Sequence, residues 1–221
     1  MNSPFSLGAD GIYRCGALEQ FIWQKHGFGT RLGSPEADIT LRQIHSNHVL
    51  NAHSLKDREG EGDALITNEA GRSIGIRTAD CVPILLLDSC HRAVGAVHAG
   101  WRGTAAGIVR CAIEKMASDF GSVPADIYAA IGPCIRDCCY EVGVEVAQQF
   151  ALHFPEWGQM TNSRTVDLAE ANRRQMEQAG LKCDRIFDCQ LCTACEGKQF
   201  FSYRREPENS GRMIAAIGRL V

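Results

Sequence analysis

The sequence has no apolar run long enough to cross a membrane. Its longest apolar run near the middle of the chain, residues 82–87, has six residues, whereas a membrane-spanning helix needs about 20. Positive charge is not in excess, because 23 Lys and Arg accompany 26 Asp and Glu, which excludes a strongly basic surface for nucleic acid. The first ten residues, MNSPFSLGAD, have no basic segment before an apolar one, so no secretory signal is predicted. We expect a cytoplasmic protein without nucleic-acid or membrane partners.

Internal repeats, Pro/Ser-rich linkers and a three-residue glycine period are also missing, which excludes a collagen-like chain and a linker between domains. A chain of 221 residues with 45% hydrophobic residues buries about 70% of its unfolded surface. We therefore expect residues 1–221 to form one domain, either as a monomer or as a homodimer.

What the chain does contain is an alternation of short apolar segments with segments of helical period. This alternation predicts sheets covered by helices. The predicted strands are 64–67, 73–78, 82–88, 93–98, 126–131, 185–189, 200–204 and 213–220, and the predicted helices are 104–120, 144–154 and 168–179.

Three segments concentrate polar groups at predicted strand ends, and they contain His45, Cys81 and His98. Two imidazoles and one thiolate suit Zn²⁺ with its fourth position open, and Cu²⁺ accepts the same ligands. The ligands are 36 and 17 residues apart, a spacing that favours a catalytic over a structural site. Such a metal polarises an oxygen atom or activates water. A metal-free alternative makes Cys81 a nucleophile and His98 its base, and the residues alone leave both open.

Several motifs containing these residues resemble one known family. The chain is similar to the bacterial YfiH-like or laccase-domain proteins, long labelled polyphenol oxidases and now described as zinc-dependent purine nucleoside phosphorylases. The resemblance covers about residue 26 to the C-terminus, and its motifs are QIHSNHV (43–49), GDALIT (62–67), TADCVPILLLD (78–88), VGAVHAGWRGTAAGIV (94–109), IGPCI (131–135) and CYEV (139–142).

The resemblance implies an α+β fold, a single-domain four-layer α/β/β/α sandwich with mixed sheets. It assigns His45, Cys81 and His98 to metal binding and catalysis. It also implies phosphorolysis of adenosine, inosine and methylthioadenosine, with deamination of adenosine. The family's longer N-terminal region is missing here, because Gln43 follows Arg31 closely, and this leaves the substrate specificity open.

Other functions remain as alternatives. Some relatives are zinc hydrolases that remove a wrong amino acid from a peptidoglycan precursor. A copper polyphenol oxidase ranks low, because laccases use many histidines in HxH motifs, and this chain has seven histidines and no HxH. A non-catalytic zinc-binding module is the third class.

Four residues are candidate substrate contacts. Arg102, between two glycines and before the predicted helix start at Thr104, offers an anion site suited to phosphate, although it would equally pair with a carboxylate. Gln43 would share a strand face with His45, and Arg77 lies at the same edge. Tyr203, beside two arginines, would contact a nucleoside, and a salt-bridged sheet edge is the alternative.

Asp63 and Asp80 are candidates for groups that hydrogen-bond the metal ligands and so orient them. Each would equally be a turn residue.

The run Cys189-x2-Cys192-x2-Cys195, with Cys183 before it, is typical of a metal knuckle or a redox pair. Unbound loop thiols are the simpler expectation for these four cysteines.

Overall fold

The computed structural model describes residues 4–153 and 165–221, which form eleven strands and five α-helices. In this part of the chain no helix combines the length and apolar character needed to span a bilayer. The strands are β1 (Phe5–Leu7), β2 (Tyr13–Cys15), β3 (Gln24–Phe28), β4 (Val49–Asn51), β5 (Ala64–Thr67), β6 (Arg72–Thr78), β7 (Val82–Asp88), β8 (Val94–Ala99), β9 (Ile127–Ile131), β10 (Ile186–Asp188) and β11 (Met213–Arg219). The helices are α1 (Gly16–Glu19), α2 (Trp101–Ala105), α3 (Ile108–Phe120), α4 (Val144–His153) and α5 (Leu168–Gln178).

The strands form two sheets. One has the order β1-β2-β3-β11-β6 and the other β10-β9-β7-β8-β5-β4. In the six-stranded sheet the outer pairs β10–β9 and β5–β4 are parallel and the inner pairs are antiparallel. The five-stranded sheet pairs its strands antiparallel, and an isolated bridge between Ile39 and Ile74 adds a parallel pair.

The six-stranded sheet is buried on both faces, which explains its continuous apolar strands. In β7, Leu85 and Leu87 point into the core between the two sheets, whereas Ile84 and Leu86 point to the core under α3, α4 and α5. Because successive side chains of a strand alternate between faces, both sets must be apolar. The arrangement agrees with the expected α+β sandwich.

The outer face of the five-stranded sheet is covered by a chain segment that includes Ala37, whereas helices cover the outer face of the six-stranded sheet. Ala216 pairs with Gly27 and Gly75 in neighbouring strands, and a Cβ at residue 75 would lie 2.6 Å from the Cβ of Ala37. The segment over this face therefore approaches the backbone directly, and residues 31–38 contain no helix.

Two predicted elements are wrong. The helix from Thr104 to Phe120 is divided into α2 and α3, because Gly107 has a φ of 75°, a left-handed conformation that interrupts an α-helix. Residues 200–204 are not a strand. Four strands, β1 to β4, were not predicted, because they have only three to five residues and little apolar alternation. Residue 154, the predicted end of α4, lies outside the described residues.

Candidate metal centre and its cleft

His98 is a buried residue of β8 whose ring is held by Asp63. Asp63 directly precedes β5, which pairs antiparallel with β8. The Oδ1 of Asp63 lies 2.8 Å from Nδ1 of His98, and the backbone N–H of His98 donates to the Asp63 carbonyl. A carboxylate accepts only, so Nδ1 carries the proton and Nε2 is left as a ligand atom. Burial would raise the pKa of Asp63, but hydrogen bonds from His98 and Ser46 lower it to about 2.

The same carboxylate shapes the loop that carries His45. Its Oδ1 accepts the backbone N–H of His45 at 3.0 Å, and its Oδ2 accepts both the N–H and the hydroxyl of Ser46. His45 has a φ of 58°, a left-handed conformation that costs a non-glycine residue about 1–3 kcal/mol. Asp63 therefore stabilises a strained loop conformation and places both histidines.

Cys81 directly precedes β7, and Gly100, beside it, directly follows β8. The pairing of Val82 with Ala99 brings these two chain positions together. A Cβ at residue 100 would lie 3.0 Å from Cδ2 of His45 and 3.1 Å from Sγ of Cys81. Glycine therefore allows the close approach of the backbone to both side chains, and a larger residue would push one of them away.

His45, Cys81 and His98 form one group whose ligand atoms lie within 4.8 Å of one another. The two imidazole rings stand nearly perpendicular, with centroids 5.0 Å apart. Zn–N bonds of about 2.0 Å and a Zn–S bond of about 2.3 Å fit three donors at such separations. The three side chains can hold a metal ion and leave a position open toward solvent, since His45 is exposed and Cys81 is half-buried.

The charged forms of Cys81 and His98 stabilise each other. Burial raises the pKa of Cys81, but hydrogen bonds with His45 and His98 outweigh it and lower the pKa to about 6. Burial lowers the pKa of His98, whereas Asp63 and Cys81 raise it to about 9. A thiolate both coordinates metals and acts as a nucleophile. The electrostatics therefore agree with the metal-ligand and the nucleophile interpretations alike.

The cluster opens into a cleft of about 1010 Å³ that is rich in arginine. Among the residues that the structure describes, the lining has a single carboxylate, that of Asp80, and its aromatic side chains are Trp101, Tyr140 and Tyr203. The whole chain is slightly acidic, so this local positive charge favours an anionic ligand. Six arginines line the cleft: Arg42, Arg58, Arg77, Arg102, Arg204 and Arg212.

Comparison with known proteins assigns a family. A family model described as "Multi-copper polyphenol oxidoreductase laccase" matches residues 24–220. The chain belongs to this laccase-like family. The expected family membership is thereby confirmed.

Curated relatives of this laccase-like protein carry enzyme names. "Purine nucleoside phosphorylase" of Bacteroides thetaiotaomicron is 40% identical over 161 residues, which are 70% of this chain and 60% of the relative. The chain therefore spans less than two thirds of that relative's length. "Adenosine deaminase RL5" of an unknown prokaryotic organism is 39% identical over 205 residues, covering 86% of this chain and 78% of the relative.

A solved structure has the same fold. The hypothetical protein YfiH of Bacillus licheniformis matches with a TM-score of 0.87 at 27% identity, over 99% of this chain and 100% of that chain. The expected YfiH-like fold class is confirmed.

All four predicted substrate contacts of the laccase-like protein line the cleft. The amide of Gln43, however, is already paired, because it donates to the carbonyl and accepts from the N–H of Arg77, both at 2.8 Å. Residue 43 is not in a strand, so the reason for expecting it on one face with His45 is wrong. Its geometry makes it a support for Arg77, and a direct contact of Gln43, Arg77 or Tyr203 with substrate stays a prediction.

Arg102 lies inside α2, not before a helix that starts at Thr104, and Gly100 is the N-cap residue. Its guanidinium stacks over the Trp101 ring at 4.3 Å from the centroid. Within residues 4–153 and 165–221, Arg102 makes no ion pair. The carboxylate-paired alternative is therefore not observed there, and the charge is available to a ligand.

The expected role of Asp80 as an orienting group for a histidine is wrong. Its Oδ1 accepts the Thr193 hydroxyl at 2.6 Å, and its Oδ2 accepts the Ser202 hydroxyl and the Arg204 N–H. Asp80 has a φ of 86°, so its side chain turns away from Cys81 toward two loops. These bonds also explain why residues 200–204 form no strand. Asp63, in contrast, contacts both histidine segments.

Sequence reasoning missed several lining residues. Arg42, Arg58 and Arg212 were not predicted as contacts, and Tyr140 was missed although it belongs to the motif CYEV. Burial raises the pKa of Tyr140 to about 12, and its ring lies under the Arg204 guanidinium, whose central carbon is 5.3 Å from the ring centroid.

Of the four cysteines predicted as a metal knuckle, a redox pair or unbound thiols, Cys192 and Cys195 lie in a second cluster of cysteines, and Cys183 and Cys189 lie outside it.

Proposed function

We propose that this protein is a zinc-dependent purine nucleoside phosphorylase that also deaminates adenosine, with residues 1–221 acting as one catalytic domain. The observation that carries the proposal is the juxtaposition of the His45–Cys81–His98 cluster with an arginine-rich, aromatic cleft. The names of the relatives support the same reaction types. The eleven cysteines, all free, support a reducing cytoplasmic location.

His45, Cys81 and His98 would hold the Zn²⁺ ion. Their donor set is that of a catalytic zinc site, and Gly100 leaves the space beside two of them open to an ion or a ligand. When bound, Zn²⁺ supplies a Lewis acid that polarises a substrate oxygen or nitrogen. Asp63 keeps the two histidines in place, so little reorganisation is needed when an ion binds.

Phosphorolysis requires phosphate beside the sugar. The C1′–N bond of the nucleoside breaks, a C1′–O bond to phosphate forms, and the departing base takes up a proton. We assign phosphate to Arg102 with Arg77, since Arg102 has no ion pair among the described residues and Gln43 holds the Arg77 backbone. Guanidinium groups suit phosphate because their planar donors match two oxygens.

The nucleoside base would lie against the aromatic side chains of the cleft. Trp101 and Tyr203 both line it, and Tyr203 is 55% exposed, so its ring is free to stack on a base. In deamination, water adds at C6 of adenosine and ammonia leaves. In this proposal both reactions use one base-binding surface, but phosphate attacks C1′ and releases the base, whereas water attacks C6 and releases ammonia.

The test is a nucleoside panel assayed with and without phosphate, using protein of measured metal content. We expect free base from adenosine and inosine only with phosphate, and inosine from adenosine without it. Cys81→Ala should lose turnover and the zinc of the His45–Cys81–His98 cluster, whereas Cys183→Ala, at an exposed thiol outside both clusters, should keep both. Full activity in Cys81→Ala contradicts both the metal and the nucleophile interpretations.

Chelation separates those two interpretations. A nucleophilic Cys81 would keep its activity after the metal is removed, whereas a zinc ligand would not. Amino-acid release from a peptidoglycan precursor, without nucleoside turnover, would instead establish the editing hydrolase. Oxidation of a phenol by copper-loaded protein would establish the function named in the family description.

A further inference from the structure

Four cysteines from two loops lie together outside the His45–Cys81–His98 cluster. Cys138 and Cys139 belong to the first loop, and Cys192 and Cys195 belong to the second. Their sulfur atoms all lie within 4.8 Å of one another. The sequence separates the two pairs by more than 50 residues, so only the tertiary structure brings them into one group.

The separations among three of the sulfurs match those of a tetrahedral four-sulfur site, and the fourth sulfur, of Cys192, lies within 4.8 Å of them. Zn–S bonds of about 2.3 Å place the sulfurs of a tetrahedron about 3.8 Å apart. The Sγ of Cys138 lies 3.8 Å from the Sγ atoms of Cys139 and Cys195, and the Sγ atoms of Cys139 and Cys195 are 3.4 Å apart. A disulfide requires about 2.05 Å, so these are free thiols gathered at metal-site distances.

The backbone holds both loops in this arrangement. Cys134 and Cys192 form a parallel bridge, in which Thr193 N donates to Cys134 O and Cys134 N donates to Leu191 O. Burial raises the pKa of the Cys192 thiol, but the backbone N–H groups of Arg136, Cys195 and Ala194 near its sulfur help to lower it below the usual value. Amides that surround a sulfur in this way stabilise a thiolate ligand. The spacing Cys192-x2-Cys195 is that of a zinc knuckle.

Positive charge lies next to the cluster. Arg204 donates to the carbonyl of Cys139, and Arg205 donates to the carbonyls of Thr193 and Ala194. Four thiolates around Zn²⁺ carry a net charge of −2, which these guanidinium groups would compensate. The chain thus provides the four ligands, the amide donors and the counter-charge.

We propose that Cys138, Cys139, Cys192 and Cys195 bind a second zinc ion, in a closed structural site. Binding releases the four thiol protons to solvent and forms four Zn–S bonds, so no oxidant is required. The ion would join two loops that support the cleft, because Thr193 bonds Asp80 and Arg204 lines the cleft. Four cysteine ligands would fill all four coordination positions and leave none for a substrate. The role of this ion is therefore to stabilise the two loops beside the cleft.

The experiment counts zinc per chain, without reading nucleoside turnover. Wild type, Cys81→Ala, Cys195→Ser and the control Cys183→Ser are purified with reductant and excess Zn²⁺ and then desalted. We expect two equivalents in wild type and Cys183→Ser, and one in Cys81→Ala and in Cys195→Ser. Because Cys81→Ala keeps all four thiols, its remaining equivalent reports the second site even where Cys195→Ser fails to fold.

Cobalt identifies the ligands. Co²⁺ bound to Cys81→Ala should show the intense visible absorption and the sulfur-to-metal charge-transfer absorption of a four-thiolate tetrahedral complex. The double variant Cys81→Ala/Cys195→Ser should not show this absorption. The proposal is overturned if wild type binds a single equivalent that disappears in Cys81→Ala. It is also overturned if intact mass shows a disulfide among the four cysteines in freshly reduced, zinc-treated protein. If the His45–Cys81–His98 cluster binds no zinc, the proposed function fails, but the four-cysteine site would still bind one equivalent in wild type and in Cys81→Ala. The two failures are therefore distinguishable.

Discussion

Asp63 Oδ1 lies 2.8 Å from Nδ1 of His98 and 3.0 Å from the backbone nitrogen of His45. One buried oxygen atom therefore positions two of the three candidate metal ligands, which come from distant parts of the chain. Because the carboxylate has no exposed surface, its charge is not screened by solvent, and the contacts are correspondingly strong. The orientation of both histidines at the centre therefore depends on this residue.

Asp63→Asn should weaken zinc binding. The asparagine amide would place N–H groups against the donors of Ser46 or His98, so one of these hydrogen bonds must break. We expect the zinc Kd to rise by about 10–100-fold, measured by competition with a chromophoric chelator in the Cys195→Ser background. Asp184→Asn, at an exposed carboxylate, is the control and should leave the Kd unchanged. An unchanged Kd in Asp63→Asn would exclude this positioning role.

Gly100→Ala should disturb the same centre by steric contact. The added Cβ would lie 3.0 Å from the His45 ring and 3.1 Å from Cys81 Sγ, which is closer than ordinary carbon contacts of about 3.5–4.0 Å. His45 is exposed and is the side chain free to move, so we expect lower zinc affinity with little change in the unfolding midpoint. Gly16→Ala is the matched control, because its Cβ would meet only Pro4 O at 3.6 Å. Equal zinc affinity in both variants would contradict the prediction.

Arg102→Gln should raise the KM for phosphate. Loss of a charged hydrogen bond costs about 1.5–3 kcal/mol, so we expect an increase of about 10–100-fold, with a smaller change in the KM for the nucleoside. Steady-state kinetics with varied phosphate provide the measurement. Arg110→Gln, in an exposed ion pair of α3, is the control for a lost arginine. A phosphate dependence equal to that of wild type would remove Arg102 from the phosphate site.

His26 should make the fold sensitive to acid. It is neutral in the folded protein, because Nε2 accepts the Cys15 N–H at 2.9 Å and Nδ1 lies 3.0 Å from the Gln24 Oε1 acceptor. Burial, with a smaller contribution from Arg14, lowers its pKa from 6.5 to about 4. Between these values the unfolded chain binds the proton and the folded chain does not, so stability falls as the pH decreases.

The magnitude follows from the shift. A pKa difference of about 2.5 corresponds to about 3 kcal/mol of unfolding free energy lost between pH 6.5 and pH 4. Urea unfolding at several pH values should show this loss in wild type and a shallower dependence in His26→Gln, whose side chain does not titrate. Identical pH slopes for the two proteins would show that His26 does not contribute.

The central strands were predictable from local pattern. β5 and β7 agree with their predicted bounds, because a strand buried on both faces must be apolar throughout, and that composition is visible in sequence. The short strands β1, β2 and β4 were not predictable, since their pairing depends on neighbours that only the folded chain supplies. The break between α2 and α3 at Gly107 was not predictable either, because a glycine within a helical pattern does not by itself indicate a left-handed backbone conformation.

The sequence alone determined which side chains are candidates for the chemistry: the three candidate ligand residues of the centre follow from residue type and motif. Only the tertiary structure decided which of them meet and what supports them. Asp63 and Asp80 were indistinguishable as acidic residues near motifs, and their hydrogen bonds assign them to the histidines and to the loops respectively. The four-cysteine cluster likewise requires two loops to be held together by backbone bonds. Such long-range contacts depend on strand pairing and backbone dihedral angles, which local residue pattern does not encode.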